Sequence, residues 1–343
     1  MSDISNQESA HSADKSQVCP MRPVHQRVLL TGACGQIGTA LTEALTRWHG
    51  VEHLVCTDVR APNQALPDGV VFETLDVLNP DHLRTLLQTH RIDTVYHLSA
   101  VLSARGEAHP AQTWRVNVDG WLNVLEAARD GLVQRVFFPS TIAVFGPNVP
   151  RHGTPDDAPL NPTTVYGLSK AAGENWAAYY HQRWGVDVRS LRYPGVIGHQ
   201  SLPGGGTTDY AVEIFHALLQ HGQYNCYLAP EQSLPMIHMD DAIRATLELM
   251  TAPTERIGRR HGYNLQGLSF SPAELVAEIE RQFGPQRVDY APDARQHIAQ
   301  SWPAALDDRH ARADWGWRPA YDLSTLVHSM WSNLSHLSLP EAA

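Results

Sequence analysis

Short apolar runs and long stretches of helical spacing alternate through the first half of this chain. Arg27 to Thr31 is one such run, and it leads directly into a cluster of glycines. Beyond Gly38, the residues Ala40, Leu41, Ala44, Leu45 and Trp48 recur at the spacing of one helix face. His53 to Thr57 is the next apolar run, ending at Asp58, and Val70 to Leu75 follows, ending at Asp76. Asn79-Pro80 marks a helix start, a cap residue followed by proline in the first turn. Strands are further predicted from Thr94 to Ser99, Arg135 to Pro139 and Val186 to Leu191, with helices from about Pro110 to Gly131 and Thr164 to Trp184. Strands alternating with long helices predict an α/β fold built on a doubly wound parallel sheet with right-handed crossovers.

After Pro194 the pattern changes. Gly198 to Gly206 reads as a loop, Asp209 to Leu219 as a helix, Tyr224 to Leu228 as a strand and Asp240 to Met250 as a helix returning to the main sheet. Ser271-Pro-Ala-Glu274 combines a cap, a first-turn proline and a capping glutamate, and so starts another helix. The chain therefore divides into a disordered tail over residues 1–24, a main domain over 25–194 plus 226–251, and a smaller substrate lobe over 195–225 plus 252–335.

The glycines are spaced Gly32-x-x-Gly35-x-x-Gly38 between a predicted strand and a predicted helix. Such a turn lets the backbone approach a phosphate and aims a helix N-terminus at it, which marks a Rossmann dinucleotide-binding unit. Asp58 stands twenty residues past Gly38, where a carboxylate accepts the adenosine ribose hydroxyls and repels a 2′-phosphate. NAD is thereby favoured over NADP, although Arg60 nearby could accommodate the phosphate.

Composition narrows the possibilities. The 343 residues (38.0 kDa) suffice for a large α/β domain and a lobe, and 43% hydrophobic with 18% charged content describes an ordinary globule. A net charge of -10 argues against a nucleic-acid surface. Cys19, Cys34, Cys56 and Cys226 lie far apart without CxxC pairing, as expected of thiols in a reducing compartment. The 19 histidines show no HExxH, so no metal is expected. Residues 1–20 lack the apolar core of a secretory signal or a membrane span, and a cytoplasmic location without membrane partners follows.

Tyr166-Gly-Leu-Ser-Lys170 places a phenol and an ammonium one helical turn apart. A tyrosine acid/base needs its pKa brought down from about 10, and Lys170 with the positive nicotinamide of bound NAD would favour phenolate. A YxxxK on a solvated helix is common by chance; its distance from the glycine turn gives it meaning. Thr141, at the carboxyl end of a predicted strand, offers a hydroxyl where ligands sit in open α/β sheets.

Thr31–Gly38, Asp58, Leu75-Asp76-Val77, His97-Leu98-Ser99-Ala100, Asn117, Ser140-Thr141, Tyr166–Lys170 and Arg192-Tyr193-Pro194-Gly195 together resemble the extended short-chain dehydrogenase/reductase family, in its epimerase-like branch, over roughly residues 27–250. The resemblance implies that Gly32, Gly35, Gln36, Ile37 and Gly38 hold the cofactor diphosphate, with Asp58 and Arg60 at the adenosine ribose. It implies Asp76 and Val77 beside adenine, and Leu98, Ser99 and Ala100 against the cofactor ribose. Asn117, Tyr166, Lys170 and Tyr193 would complete the cofactor site.

Most such enzymes act on nucleotide sugars and carry an arginine for the substrate diphosphate in a segment like Arg-Asp-Tyr/Phe-Ile-His-Val. Here the segment is Leu234-Pro-Met-Ile-His-Met239, without that cation. Leu202-Pro-Gly-Gly-Gly-Thr-Thr-Asp-Tyr-Ala211, Tyr224-Asn-Cys-Tyr227, Asp240-Ala245 and Ser301-Trp-Pro303 are instead similar to the NAD-dependent L-threonine 3-dehydrogenases of this family. That likeness implies oxidation of L-threonine to 2-amino-3-oxobutyrate, with Tyr166 as base, Lys170 beside it, and Thr141 and Ser103 positioning substrate. Thr207 or Thr208 would contact the carboxylate, with Asp209 a further contact. It also implies a homodimer through helices near 110–131 and 164–184, bearing Trp114, Val118, Leu122 and Leu125 on one and Trp176, Ala177 and Tyr180 on the other. A nucleotide-sugar epimerase or dehydratase is the alternative.

Overall fold

The computed structural model describes residues 26–48, 51–200, 202 and 204–337; the tail expected over 1–24 lies outside them. Strands β1 (Gln26–Thr31), β2 (Val51–Asp58), β3 (Val71–Thr74), β4 (Thr94–His97), β5 (Arg135–Thr141) and β6 (Asp187–Tyr193) join a short β10 (Tyr263–Asn264) in a seven-stranded sheet ordered β10-β6-β5-β4-β1-β2-β3. Every pair in it is parallel. The order reverses between β1 and β4, and at such a switch point the loops splay apart to leave a crevice at the strands' carboxyl ends.

Period-two alternation sends β1 side chains to two cores. Val28 and Leu30 face helices α1 (Gln36–Arg47) and α8 (Met239–Thr251), packing with Leu41, Leu45, Ala242 and Ile243. Leu29 faces the opposite side, where Leu83 and Leu87 of α2 (Pro80–Thr89), Trp121 and Val124 of α5 (Gly120–Arg129) and Ala177 of α6 (Val165–Trp184) cover the sheet. Asn79 caps α2 by accepting from His82 N at 3.0 Å, as its sequence predicts. Thr164 caps α6 through Gly167 N at 3.0 Å.

The single helix predicted from 110 to 131 is interrupted. A short α4 (Pro110–Trp114) passes into a π turn (Arg115–Asp119) before α5, and an unpredicted α3 (Ser103–Ala108) precedes it. The widened turn contains Asn117. Its side chain donates to Val101 O (3.1 Å) and Ser169 Oγ (2.9 Å) and accepts from Val101 N (2.8 Å), tying the loop after β4 to α6.

Beyond β6, β7 (Gly195–Ile197) and β9 (Leu234–His238) pair in parallel, and β11 (Leu268–Phe270) joins β9 antiparallel. A two-stranded sheet joins β8 (Gln223–Cys226) to β12 (Arg287–Tyr290). Around them pack α7 (Tyr210–His221), α9 (Pro272–Phe283), α10 (Ala294–Gln300) and α12 (Leu323–Leu337), with Phe215, Leu228, Leu275, Ile279, Leu326 and Met330 at the centre; α11 (Arg309–Trp315) contributes Ala311 to the first core. Ser271 and Glu274 form the reciprocal capping box at α9. β10 belongs to the main sheet although it lies within 252–335, and β9 pairs outside that sheet although it lies within 226–251. Strand pairing at a distance governs these two segments, and they are too short to carry a periodic signal.

On the proposed dimer helices, Val118, Leu125, Ala177 and Tyr180 are buried within the chain itself. The exposed apolar positions are Trp114, Leu168, Trp176, Tyr179 and Trp184. Among the described residues, no helix is long and apolar enough to cross a membrane, and no group of three or more His, Cys, Asp or Glu is placed to hold a metal.

Candidate active site

Gly32 adopts φ +71°, and a Cβ there would lie 2.7 Å from Ser99 N. At Gly38 a Cβ would lie 2.3 Å from Gly32 O. Any side chain at either point would fill the cradle between β1, α1 and the loop after β4. Helix α1 begins after Gly35 with no side-chain cap, so its first amides and the positive end of its dipole remain available to an anion. Asp58, at the end of β2, is 8% exposed and held by Cys34 N (3.1 Å) and Arg60 N (3.2 Å). The Arg60 guanidinium stands 3.8 Å from it.

These groups open on a groove of about 920 Å³ that also contains Asp76, Val77, Leu98, Ser99 and Ala100. Its outer wall carries Arg105, His109, Gln112 and Arg115, which sequence reasoning did not single out. A cradle that excludes Cβ, an uncapped helix start and a terminal carboxylate fit a dinucleotide lacking a 2′-phosphate.

Gly32, Gly35, Leu98 and Ala100 continue into a second cavity of about 220 Å³. Gln36, Ile37, Gly38, Ser103, Thr141, Tyr166, Lys170, Tyr193, Thr207, Thr208 and Asp209 line it. The structure thus gathers there residues from six separate parts of the sequence. The Lys170 ammonium donates to Pro139 O at 2.8 Å and stands 4.7 Å from the Phe138 ring centre and 5.9 Å from that of Tyr166. Burial pulls Lys170 down to about 7, against the opposing charge of Glu174 one turn on. Burial likewise holds the Tyr166 phenol up at about 12, with a hydrogen bond from Thr141 pulling the other way. In the chain alone, then, desolvation outweighs any lowering of the phenol by Lys170. His97, bonded to Thr31 Oγ1 at 3.0 Å, is kept neutral by burial and by Lys170, down at about 3.

Several predicted residues take other duties. Asn117 lines neither cavity, because its amide is occupied by Val101 and Ser169. The Tyr193 hydroxyl bonds Thr246 in the core, leaving only its ring at the wall. Asp209 accepts from Gly205 N (2.8 Å) and Gly206 N (2.7 Å), bracing the glycine loop, and burial raises its carboxyl. The Thr207 hydroxyl, by contrast, is buried without a hydrogen-bond partner. Leu234 is fully buried in β9 and reaches neither cavity.

Two features escaped sequence reasoning. Glu174 is fully buried and accepts from Ser140 Oγ (2.5 Å), Arg192 Nε (2.8 Å) and Arg192 Nη2 (2.7 Å), fastening α6 to the ends of β5 and β6. Trp302 lines the small cavity from the turn after α10. The Ser301-Trp-Pro303 run was visible, but nothing local connects it to Tyr166.

The chain matches the NAD dependent epimerase/dehydratase family over residues 28–265. It belongs to that family. Among its relatives is the mitochondrial L-threonine 3-dehydrogenase of Bos taurus, 45% identical over 307 residues, which are 89% of this chain and 82% of that protein. The fold superposes on the holo form of a GalE-like L-threonine dehydrogenase from Cupriavidus necator with a TM-score of 0.87 at 47% identity, covering 90% of this chain and 99% of that one. A monomeric L-threonine 3-dehydrogenase from a metagenome, in its apo form, gives 0.87 at 43% identity, covering 91% and 100%.

Proposed function

We propose that the protein oxidises L-threonine at its β-hydroxyl to 2-amino-3-oxobutyrate with reduction of NAD. The observation that carries this reading is one small cavity joining Tyr166 and Thr141 to Thr207, Thr208 and Asp209, continuous with the nucleotide groove. Among the described residues no arginine lines that cavity. A nucleotide sugar would bury a diphosphate there without a guanidinium, which is costly.

NAD bound in the groove supplies the acceptor for the β-hydrogen, taken as hydride. In this reading the first amides of α1, beside Gly35, Gln36, Ile37 and Gly38, hold its diphosphate, and Asp58 holds the adenosine ribose. Asp76 and Val77 would flank adenine, and Leu98, Ser99 and Ala100 would lie against ribose. Thr141 and Ser103 hold substrate so that its hydroxyl meets the Tyr166 phenol, and Tyr166 takes the proton. Because burial keeps that phenol at about 12, its strength as a base near neutral pH depends on positive charge nearby, from Lys170 and from oxidised nicotinamide. Residues 195–225 and 252–335 supply the substrate lobe, apart from the strand at 263–264.

A homodimer is part of this reading, supported by the exposed aromatic side chains of α6. So is a reducing, cytoplasmic setting, supported by the free thiols of Cys34, Cys56 and Cys226.

Steady-state NADH formation tests the activity. L-threonine is oxidised, and L-serine, lacking the γ-methyl, reacts roughly 10–200-fold less well. L-allo-threonine reacts poorly because inversion turns its β-hydrogen away from the acceptor, and hydride transfer needs reacting atoms at roughly 3–3.5 Å. UDP-glucose and UDP-galactose give nothing. No NADH from L-threonine would remove the assignment.

A further inference from the structure

Glu174 is a fully buried carboxylate that lines neither cavity. A buried charge is costly unless it is paired and hydrogen-bonded. This one lies one turn beyond Lys170, on the helix that bears Tyr166.

Three successive residues at the end of β5 meet three residues spaced four apart on α6. Thr141 bonds the Tyr166 phenol. Pro139 O accepts from the Lys170 ammonium at 2.8 Å, and Ser140 Oγ donates to Glu174 Oε1 at 2.5 Å. From behind, Arg192 of β6 holds the carboxylate with Nε (2.8 Å) and Nη2 (2.7 Å), while its Nη1 donates to Asp156 O at 2.6 Å. A Cβ at Gly262 would come within 2.9 Å of Glu174 Oε1, so the backbone closes on that side as well.

Few charged or titratable groups surround Lys170. Its own helix supplies the Tyr166 phenol and Glu174. Strand β4 supplies His97, which is kept neutral, and β6 supplies Arg192, which is paired with Glu174. Strand β5 offers the Pro139 carbonyl and the Phe138 ring. Arg105, Glu107, Arg115 and Asp119, on α3 and the π turn packed against α6, are exposed to solvent. Glu174 is thus the anion that opposes burial at the ammonium.

Tyr166 and Lys170 titrate as a pair. Losing one proton leaves either phenolate beside ammonium, which can act as a base, or phenol beside neutral amine, which cannot. Burial of the lysine favours the second form.

We propose that Glu174, clamped by Arg192 and Ser140, is a positioning residue for the reactive pair: it keeps the shared proton on the Lys170 ammonium and so leaves the Tyr166 phenol to ionise. The proposal rests on the reading of Tyr166 as the base in L-threonine oxidation.

Glu174→Gln removes the charge. Ultraviolet difference spectra of each protein against its Tyr166→Phe counterpart, both saturated with NAD, follow ionisation of that one phenol without substrate. Steady-state kcat on L-threonine is measured over the same pH range. Both curves move to higher pH in Glu174→Gln. Near neutral pH kcat falls roughly 10–100-fold, the size of effect one close charge has on a buried group, and it recovers as pH rises. Loss of a nearby anion would by itself ease ionisation of the phenol, so an upward shift has to pass through the lysine. Glu174→Asp keeps the charge and returns both curves toward wild type. A lone buried guanidinium threatens folding, so Glu174→Leu is also combined with Arg192→Met. Removing a buried ion pair whole is tolerated far better than breaking it, and the double variant shows the same upward shift.

A uniform loss of kcat at every pH, a downward shift, or wild-type curves in the double variant would overturn the proposal and leave Glu174 as a structural tie. Wild-type protein whose phenol ionises as expected but which forms no NADH from L-threonine would remove the substrate assignment instead, so the two failures are distinct.

Discussion

Tyr166 and Lys170 sit one turn apart, and burial moves both toward their neutral forms. The phenol is held up at about 12 and the ammonium down at about 7. Tyr166→Phe removes only the proton acceptor, so turnover falls by at least about 10²–10⁴-fold while NAD binding is nearly unchanged; retention of most activity would exclude the phenol as base. For Lys170 the sign runs as linkage requires. Its folded pKa lies below the unfolded value of about 10.5, so the unfolded chain binds the extra proton between about pH 7 and 10.5. The stability cost of the buried lysine is full below about pH 7 and fades as pH rises toward 10.5. Denaturant titrations of wild type and Lys170→Met will therefore show the variant's relative stability greatest at or below pH 7 and declining above it; a flat difference would contradict the desolvated lysine. Asp58 and Arg60 decide cofactor choice between them. With the guanidinium 3.8 Å away, Asp58→Ser removes the repulsion and frees Arg60 for a 2′-phosphate. The NAD-to-NADP ratio of kcat/KM then drops by roughly 10–100-fold from a strong preference for NAD; equal use of both cofactors by wild type would refute the ribose assignment.

At the scale of elements, α6 does several jobs along its twenty residues. Its first turns present Tyr166 and Lys170, Glu174 fixes it to β5 and β6, and Ala177 and Tyr180 seal the sheet. The remaining face is apolar and exposed: Trp176 is 37% and Tyr179 48% accessible, and their rings meet edge to face at 5.8 Å. Exposed apolar patches are the kind of surface through which chains associate. In a homodimer, Trp176→Glu places a charge at the two-fold contact, and light scattering at micromolar concentration changes from dimer to monomer mass. A monomeric wild type at that concentration would leave this face without a partner, in keeping with the monomeric relative. The π turn shows a different economy. One extra residue per turn swings Asn117 onto both Val101 and Ser169, so the loop at the groove and the helix bearing Tyr166 are positioned by one side chain.

Over the whole molecule, the residues that chemistry needs fell into two groups according to how local their signal was. The glycine turn, Asp58 after the second strand, the capped helix starts at Asn79 and Ser271, and the Tyr–Lys pair were all legible, because each rests on spacing within a turn or on strand-to-helix alternation. These features determined the parallel sheet and the region of the groove. Burial was not legible: whether Val118 and Tyr180 face the sheet or solvent depends on the rotation of each helix against its neighbours. Side-chain partnership was equally hidden. Asn117 and Tyr193 were drawn away from the groove by Val101, Ser169 and Thr246, residues distant in sequence. Trp302 joined Tyr166 only because the C-terminal segment folds back along the loop at Arg151 and Thr163. The sequence by itself determined the fold class and the spacing of Tyr166 and Lys170 one turn apart on a helix, since local geometry and hydrophobic period suffice for both. Tertiary structure alone decided which polar groups are satisfied, which stay unpaired and how far burial shifts their protons, because those quantities depend on neighbours that only packing brings together.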